Sequence, residues 1–304
     1  MKKVILVTGA TGKQGMAIIA QLCDSPGLQL LGLTRNTTSA ASSRLVARYP
    51  SLELVSGNLK NANAIFAAAA RPIWGVYSVS PSIVSGFDPA EEERQGRQLI
   101  DAAIQHGVRH FVLSSVDRHG SRSDENETNV PHFQSKFRLE KYLQQQVADL
   151  SWQPYGGRMK YTILRLPCFM ENLTLGFMGR FGATAWKLSL DRDKRMQLIS
   201  VKDIARYADQ AFNQSQHVNK AISVAGDELT FDEANAIFHR RFERNMPTTY
   251  EFLVKMALWL IPELGGMMAW FNEVGCAADI TALREQVGDL INFETWLETS
   301  CFSH

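Results

Sequence analysis

Charge of one sign is what this chain lacks most plainly. Its 32 Lys and Arg stand against 31 Asp and Glu, a formal net charge of +1. Such a balance builds in no general attraction to nucleic acid or to an anionic membrane surface. Cysteine is scarce too: Cys23, Cys168, Cys276 and Cys301 are scattered, with no pair at metal-ligand spacing. Zinc therefore has no support, no metal is expected, and a reduced, intracellular chain is the simplest reading. No apolar run is long enough to span a bilayer. The opening "MKKVIL" enters a glycine turn and lacks the apolar stretch and cleavage site of a signal peptide. Nucleic-acid-binding motifs, internal repeats and low-complexity linkers are missing as well, so direct contact with DNA is not expected.

What is present is ordinary in amount and ordered in pattern. Hydrophobic residues make up 45% and charged residues 21% of 304 positions, the composition of a globular chain of one large or two joined domains. In the first half, strand-like runs at residues 4–8, 28–34, 52–56, 75–79, 110–114 and 161–166 alternate with helical patterns at 16–23, 42–49, 62–70, 91–105 and 133–146. That alternation predicts βαβ units and an α/β fold with a doubly wound parallel sheet. The second half changes character. A helix is expected around "SVKDIARYADQAF", capped near Asp203. Another should begin at a capping box from Thr230 to Glu233. "EFLVKMALWLIPELGGMMAWF" reads as one or two helices interrupted by Pro262 and Gly265–Gly266. The polar segment 117–131 and the segment 151–160 are the expected loops, and neither separates two independent domains.

"VTGATGKQG", residues 7–15, carries the first chemical signal. Three glycines between a strand and a helix leave backbone N–H groups and the positive helix end facing a phosphate. Gly9 permits the tight turn, Gly12 lets the backbone approach a pyrophosphate, and Gly15 lets helix and strand close together. The second strand ends "LLGLTRN", with Arg35 where an NAD-binding chain usually carries an acid. An arginine there pairs with a 2′-phosphate, which favours NADP(H) over NAD(H). Asn58 follows the third strand, either near the adenine or as a simple turn residue.

These segments, with "HFQSKFRLEKYL", "ILRLPCFMENL" and the closing "FETWLE", resemble the NmrA-like branch of the atypical short-chain dehydrogenases/reductases over nearly the whole chain. The resemblance implies a Rossmann domain at residues 1–166, whose core can also receive a strand from the second half. Residues 167–304 would form a smaller, mainly helical substrate or partner region. It implies cofactor contacts from Gly9, Ala10, Thr11, Gly12, Lys13 and Gln14, from Arg35, and from Asn58 and Leu59. It adds Ser80 and Pro81, Arg94, Lys136, and Phe169, Met170, Glu171 and Asn172. Arg94 stands where the family pattern has lysine. Pro81 offers no backbone donor.

A catalytic short-chain reductase usually has Tyr-x-x-x-Lys, whereas this chain reads His132-Phe-Gln-Ser-Lys136. Lys136 is the expected ribose-holding residue. His132 is either the proton donor or a helix-start histidine without a role. Ser114 and Ser115 sit where an orienting hydroxyl is often found, and Ser115 joins Lys136 and His132 as a candidate catalytic residue. The second half holds many large apolar side chains: Phe169, Met170, Phe177, Met178, Phe181, Trp186, Met256, Trp259, Met267, Met268, Trp270 and Phe271. Most are expected in the core, with some available to line a pocket for a bulky hydrophobic substrate. The first reading is an NADP(H)-dependent reductase. The alternative is a non-catalytic NADPH/NADP⁺ sensor or co-regulator acting on a protein partner. A cytoplasmic location follows for the enzyme, and a nuclear one is open for the regulator.

Overall fold

The computed structural model describes residues 2–80, 88–149 and 158–303. Pro81 and most of the segment 151–160 lie outside them. The elements run β1 (Lys3–Val7), α1 (Lys13–Leu22), β2 (Leu28–Thr34), α2 (Ala40–Arg48), β3 (Glu53–Ser56), α3 (Ala62–Ala69), β4 (Gly75–Ser78), α4 (Pro89–Gln105), β5 (His110–Val116), α5 (Pro131–Ala148) and β6 (Lys160–Leu166). They continue as β7 (Cys168–Phe169), α6 (Phe177–Ser189), β8 (Met196–Ile199), α7 (Val201–Asn213), β9 (Lys220–Ser223), β10 (Asp227–Leu229), α8 (Phe231–Phe242), α9 (Glu251–Leu260), α10 (Pro262–Glu273), α11 (Ile280–Val287) and α12 (Phe293–Glu298).

Seven strands form one sheet in the order β3-β2-β1-β4-β5-β6-β9. The order steps outward from β1 in both directions, the mark of a doubly wound Rossmann sheet. β1 pairs in parallel with β2, from Lys3 opposite Leu28 to Val7 opposite Gly32, and with β4 on its other side. β1 is buried after its first residue and β4 throughout, as a parallel sheet covered by helices on both faces requires. On one face Leu6, Leu31, Val76, Phe111 and Ile163 meet α3, α4 and α5 in a continuous apolar core.

The chain divides into two compact units that interleave in sequence. One takes Met1–Ser115, Ser135–Leu164 and Ile204–Ile222; the other takes Val116–Gln134, Arg165–Asp203 and Ser223–His304. Each unit draws on chain from both sides of residue 166, and the strand that the first sheet receives from the second half is β9. The second unit has its own small sheet, with β8 parallel to β7 and antiparallel to β10. Its core gathers Phe133, Trp186, Phe238, Trp270, Phe293 and Trp296.

One expectation for the second half needs correction, at Gly265 and Gly266. The cap expected near Asp203 is present, while the Asp203 carboxylate itself accepts from the Ile291 N–H at 2.8 Å. The helix starts under Glu171, which accepts from the Val201 N–H at 3.0 Å, and Ser200, whose hydroxyl accepts from the Lys202 N–H at 3.3 Å. Pro262 interrupts the run as expected, opening α10 where the pair bends by 105°, but Gly265 and Gly266 do not: α10 continues through both. Gly265 is there for proximity, because a Cβ at that position would press on the Leu258 carbonyl. The capping box at the start of α8 is complete: the Thr230 hydroxyl accepts from the Glu233 N–H, and the Glu233 carboxylate accepts from the Thr230 N–H.

Candidate cofactor site and its buried lysine

The glycine turn sits at the carboxyl end of β1. Gly9 has φ +59°, a conformation open to glycine at little cost. Its carbonyl accepts from the Gly12 N–H at 2.9 Å, closing the turn. Gly12 is the N-cap of α1, and no side chain caps that end. A Cβ on Gly15 would come within 2.8 Å of the Ala10 Cα, so only glycine lets α1 start this close to the turn. Ala10 is fully buried and donates its N–H to the Leu33 carbonyl at 3.3 Å. Gly9, Gly12 and Lys13 are exposed and Thr11 is half-buried. An exposed, uncapped helix start beside a glycine turn presents donors and positive potential of the kind a pyrophosphate requires.

Gln14 turns inward. Its Oε1 accepts from the Ser114 hydroxyl at 2.9 Å and from the Tyr77 hydroxyl at 3.1 Å. Burial pushes the Tyr77 phenol well above its usual range, so it is a fixed donor to Gln14. The end of β1 is tied to the end of β4 by the Thr8 hydroxyl, which donates to the Val79 carbonyl at 3.0 Å and accepts from the Val79 N–H at 2.7 Å.

Lys136 lies on α5 with only 6% of its surface exposed. Its Nζ is 3.0 Å from Glu92 Oε1 and donates to the Ser80 hydroxyl at 2.9 Å and to the Ser114 carbonyl at 3.2 Å. Glu92 is 4% exposed and also accepts from the Ser135 hydroxyl at 2.5 Å. α4 and α5 approach closely enough for this because residue 96 is glycine: a Cβ there would lie 2.6 Å from a Leu139 methyl. The expected lysine thus carries a partner that the family pattern did not name. A signal existed, since Glu92 falls on the same helical stripe as the buried Gln95 and Leu99, where an acid is out of place unless paired. Ser115 points to the α5 side of the sheet and donates to the buried Glu140, while Ser114 points to the opposite side and Gln14. Strand alternation therefore separates the two serines.

The remaining expected contacts of this unit lie at its surface. Arg35 is exposed just beyond β2. Asn58 is exposed and its side chain accepts from the Lys60 N–H at 3.1 Å, while Leu59 packs against the core. Arg94 is held by Glu91 through two bonds of 2.7 and 2.8 Å. These bonds, followed by that from Gln95, pull the Glu91 carboxyl down to about 2. A groove of about 600 Å³ beside Trp74, Arg109 and Lys160 opens at the amino ends of β4, β5 and β6, the end away from where doubly wound sheets bind ligands.

In the second unit, Phe169 is half-buried in β7 and Met170 is wholly buried in the core. Glu171 accepts from the Ser200 hydroxyl (2.9 Å), the Val201 N–H (3.0 Å) and the Trp296 indole N–H (3.0 Å). Asn172 is exposed. His132 is half-buried in the first turn of α5, next to Phe133, which meets the edge of Trp270 at 5.0 Å. The large apolar residues divide: Trp186, Met268, Trp270 and Phe271 are buried, whereas Phe177, Met178, Met256 and Trp259 are at least half exposed.

The sequence profile of the NmrA-like family matches residues 1–299. The chain belongs to that family. A curated relative, the NmrA-like family domain-containing oxidoreductase hkm9 of Aspergillus hancockii, is 36% identical over 115 residues; these cover 37% of this chain and a third (33%) of the relative's own length. Among solved structures, this NmrA-like chain resembles NmrA, a negative transcriptional regulator, with a TM-score of 0.71 at 17% identity over 98% of this chain and 95% of that one. That regulator has been solved with NAD and also with NADP. The NADPH-dependent quinone oxidoreductase QOR2 of Escherichia coli, solved with NADPH, gives a TM-score of 0.70 at 19% identity over 95% and 97%. Regulator and reductase thus share this NmrA-like fold.

Proposed function

We propose that this NmrA-like protein is an NADP(H)-dependent reductase acting on a bulky hydrophobic small molecule. The observation that carries the reading is the buried Lys136 ammonium at the carboxyl end of β5, in the same unit as the glycine turn. When bound, the nicotinamide ring supplies the hydride. This chain's own residues do the rest. The N–H groups at the start of α1 hold the pyrophosphate, and Arg35 pairs with the 2′-phosphate. Ser80, Asn58 and Leu59 complete the cofactor contacts within this unit. Lys136 holds the ribose hydroxyls, releasing the Ser80 hydroxyl to do so while Glu92 keeps its charge in place. The proton comes from His132 or from water.

The test is stopped-flow absorbance of bound NADPH against bulky imines, enones and aldehydes. Oxidation by at least one class supports the reductase. Tight binding without oxidation by any of them moves the reading to an NADPH/NADP⁺ sensor acting through a protein partner, which the replacement of tyrosine by His132 favours. Calorimetry tests cofactor choice. NADPH should bind more tightly than NADH, and Arg35→Asp should remove on the order of 1.5–3 kcal/mol of that preference; equal wild-type affinities would sink it.

A further inference from the structure

Surface helices turn their apolar stripe inward. α9 has two apolar faces and hides only one. Val254 is buried and Leu258 packs on the core of its unit. Phe252, Met256, Trp259 and Leu260 recur at helical spacing on the outside, 65%, 50%, 79% and 58% exposed, and Tyr250 and Ile261 extend the run at both ends. We propose that this face docks on the same face of a second copy of the chain, α9 against α9 about a twofold axis.

Area supports a protein occupant. Aromatic side chains carry ~150–250 Å² each; with Tyr250, Phe252 and Trp259 at 65–79% exposure, these three present on the order of 400 Å². Met256, Leu260 and Ile261 add to it. The total approaches the ~800 Å² that each partner gives a standard interface and exceeds the ~300–600 Å² of a typical monomer's largest patch.

Charge selects the second copy over a lipid surface. Helices that lie on membranes are rich in Lys and Arg on their polar face. α9 carries one cation and one anion, Lys255 and Glu251, a single turn apart. The neighbouring Lys187 of α6 is paired with Glu251 at 2.9 Å, so it adds no free positive charge beside the face.

Sedimentation equilibrium on the intact protein from about 1 to 100 µM decides the matter. The expected mass rises toward twice 34.0 kDa. Trp259→Glu should return it to 34.0 kDa with an unchanged far-ultraviolet circular dichroism spectrum. A wild type that stays at 34.0 kDa throughout overturns the proposal, and needs no variant to fold. So does a dimer that survives Trp259→Glu. Monomeric wild type that sediments with phosphatidylcholine vesicles overturns it in favour of a lipid surface. None of these readouts depends on NADPH oxidation, so this inference and the reductase reading fail separately.

Discussion

Both units bury carboxylates, and they bury them against different partners. In the sheet unit, Glu92 meets the Lys136 ammonium and the Ser135 hydroxyl, and Glu140 meets the Ser115 hydroxyl. In the other unit the partners include backbone: Asp117 takes the N–H of Gly120 and Ala277, Asp203 that of Ile291, and the half-buried Asp227 that of Phe293. A side-chain partner can rotate away when a ligand arrives, whereas a backbone partner leaves only if its turn unfolds. The first arrangement suits a site and the second suits a scaffold.

The largest expected effect comes from breaking the side-chain pair. Lys136→Ala leaves Glu92 buried without its cation, which should cost ~3–5 kcal/mol of stability and abolish NADPH binding. Pairing Lys136→Met with Glu92→Leu should recover the stability in urea unfolding without recovering binding by calorimetry. If the double variant binds NADPH normally, this pair is scaffold like the others and the comparison collapses. Asp117→Ala is the opposite case. It orphans the Gly120 and Ala277 N–H groups and the Ser123 and Ser223 hydroxyls, and should cost on the order of 3 kcal/mol. NADPH affinity measured below the unfolding transition should stay the same; a fall would mean the scaffold also serves the site.

His110 sharpens the comparison from a third side, as a buried base in the sheet unit. Its ring nitrogen is 2.9 Å from the Thr162 hydroxyl. Burial first, then the charges of Lys160 and Lys3, push its pKa down from 6.5 to about 4. The unfolded chain therefore takes up the proton first as the pH drops. Stability is whole above about pH 6.5 and is lost as the pH falls toward 4, by on the order of 3 kcal/mol. The urea midpoint of the wild type should follow that course, and His110→Gln should flatten it. The smallest effect belongs to a local device. Thr230→Ala removes one half of the α8 capping box and should cost about 1 kcal/mol, read as a small drop in Tm with cofactor binding untouched.

Local devices were the ones the sequence displayed. Thr230 and Glu233 are three residues apart, and their reciprocal bonds form as spacing alone requires. The glycine turn was equally readable, because strand, turn and helix are contiguous. The bond from Asp203 to Ile291 is not legible, because 88 residues separate the two and no local rule reaches that far. Glu92 leaves a local trace, an acid on the buried stripe of α4, but its partner depends on α5 closing over Gly96. The large apolar residues of the second half are visible in the sequence, but their division into buried Trp186 and exposed Trp259 is decided by tertiary packing.

The placement of β9 at the edge of the main sheet bears on how the chain is made. β6 is complete once Leu166 has been synthesised, but the strand that covers its outer side begins only at Lys220. At ~5–20 residues per second, the ribosome needs roughly 3–11 s to add that stretch. During those seconds the nascent sheet carries an open edge, the feature most apt to recruit a neighbouring chain. Slower translation through residues 167–219 should lower the soluble yield, and a chaperone that shields strand edges should restore it.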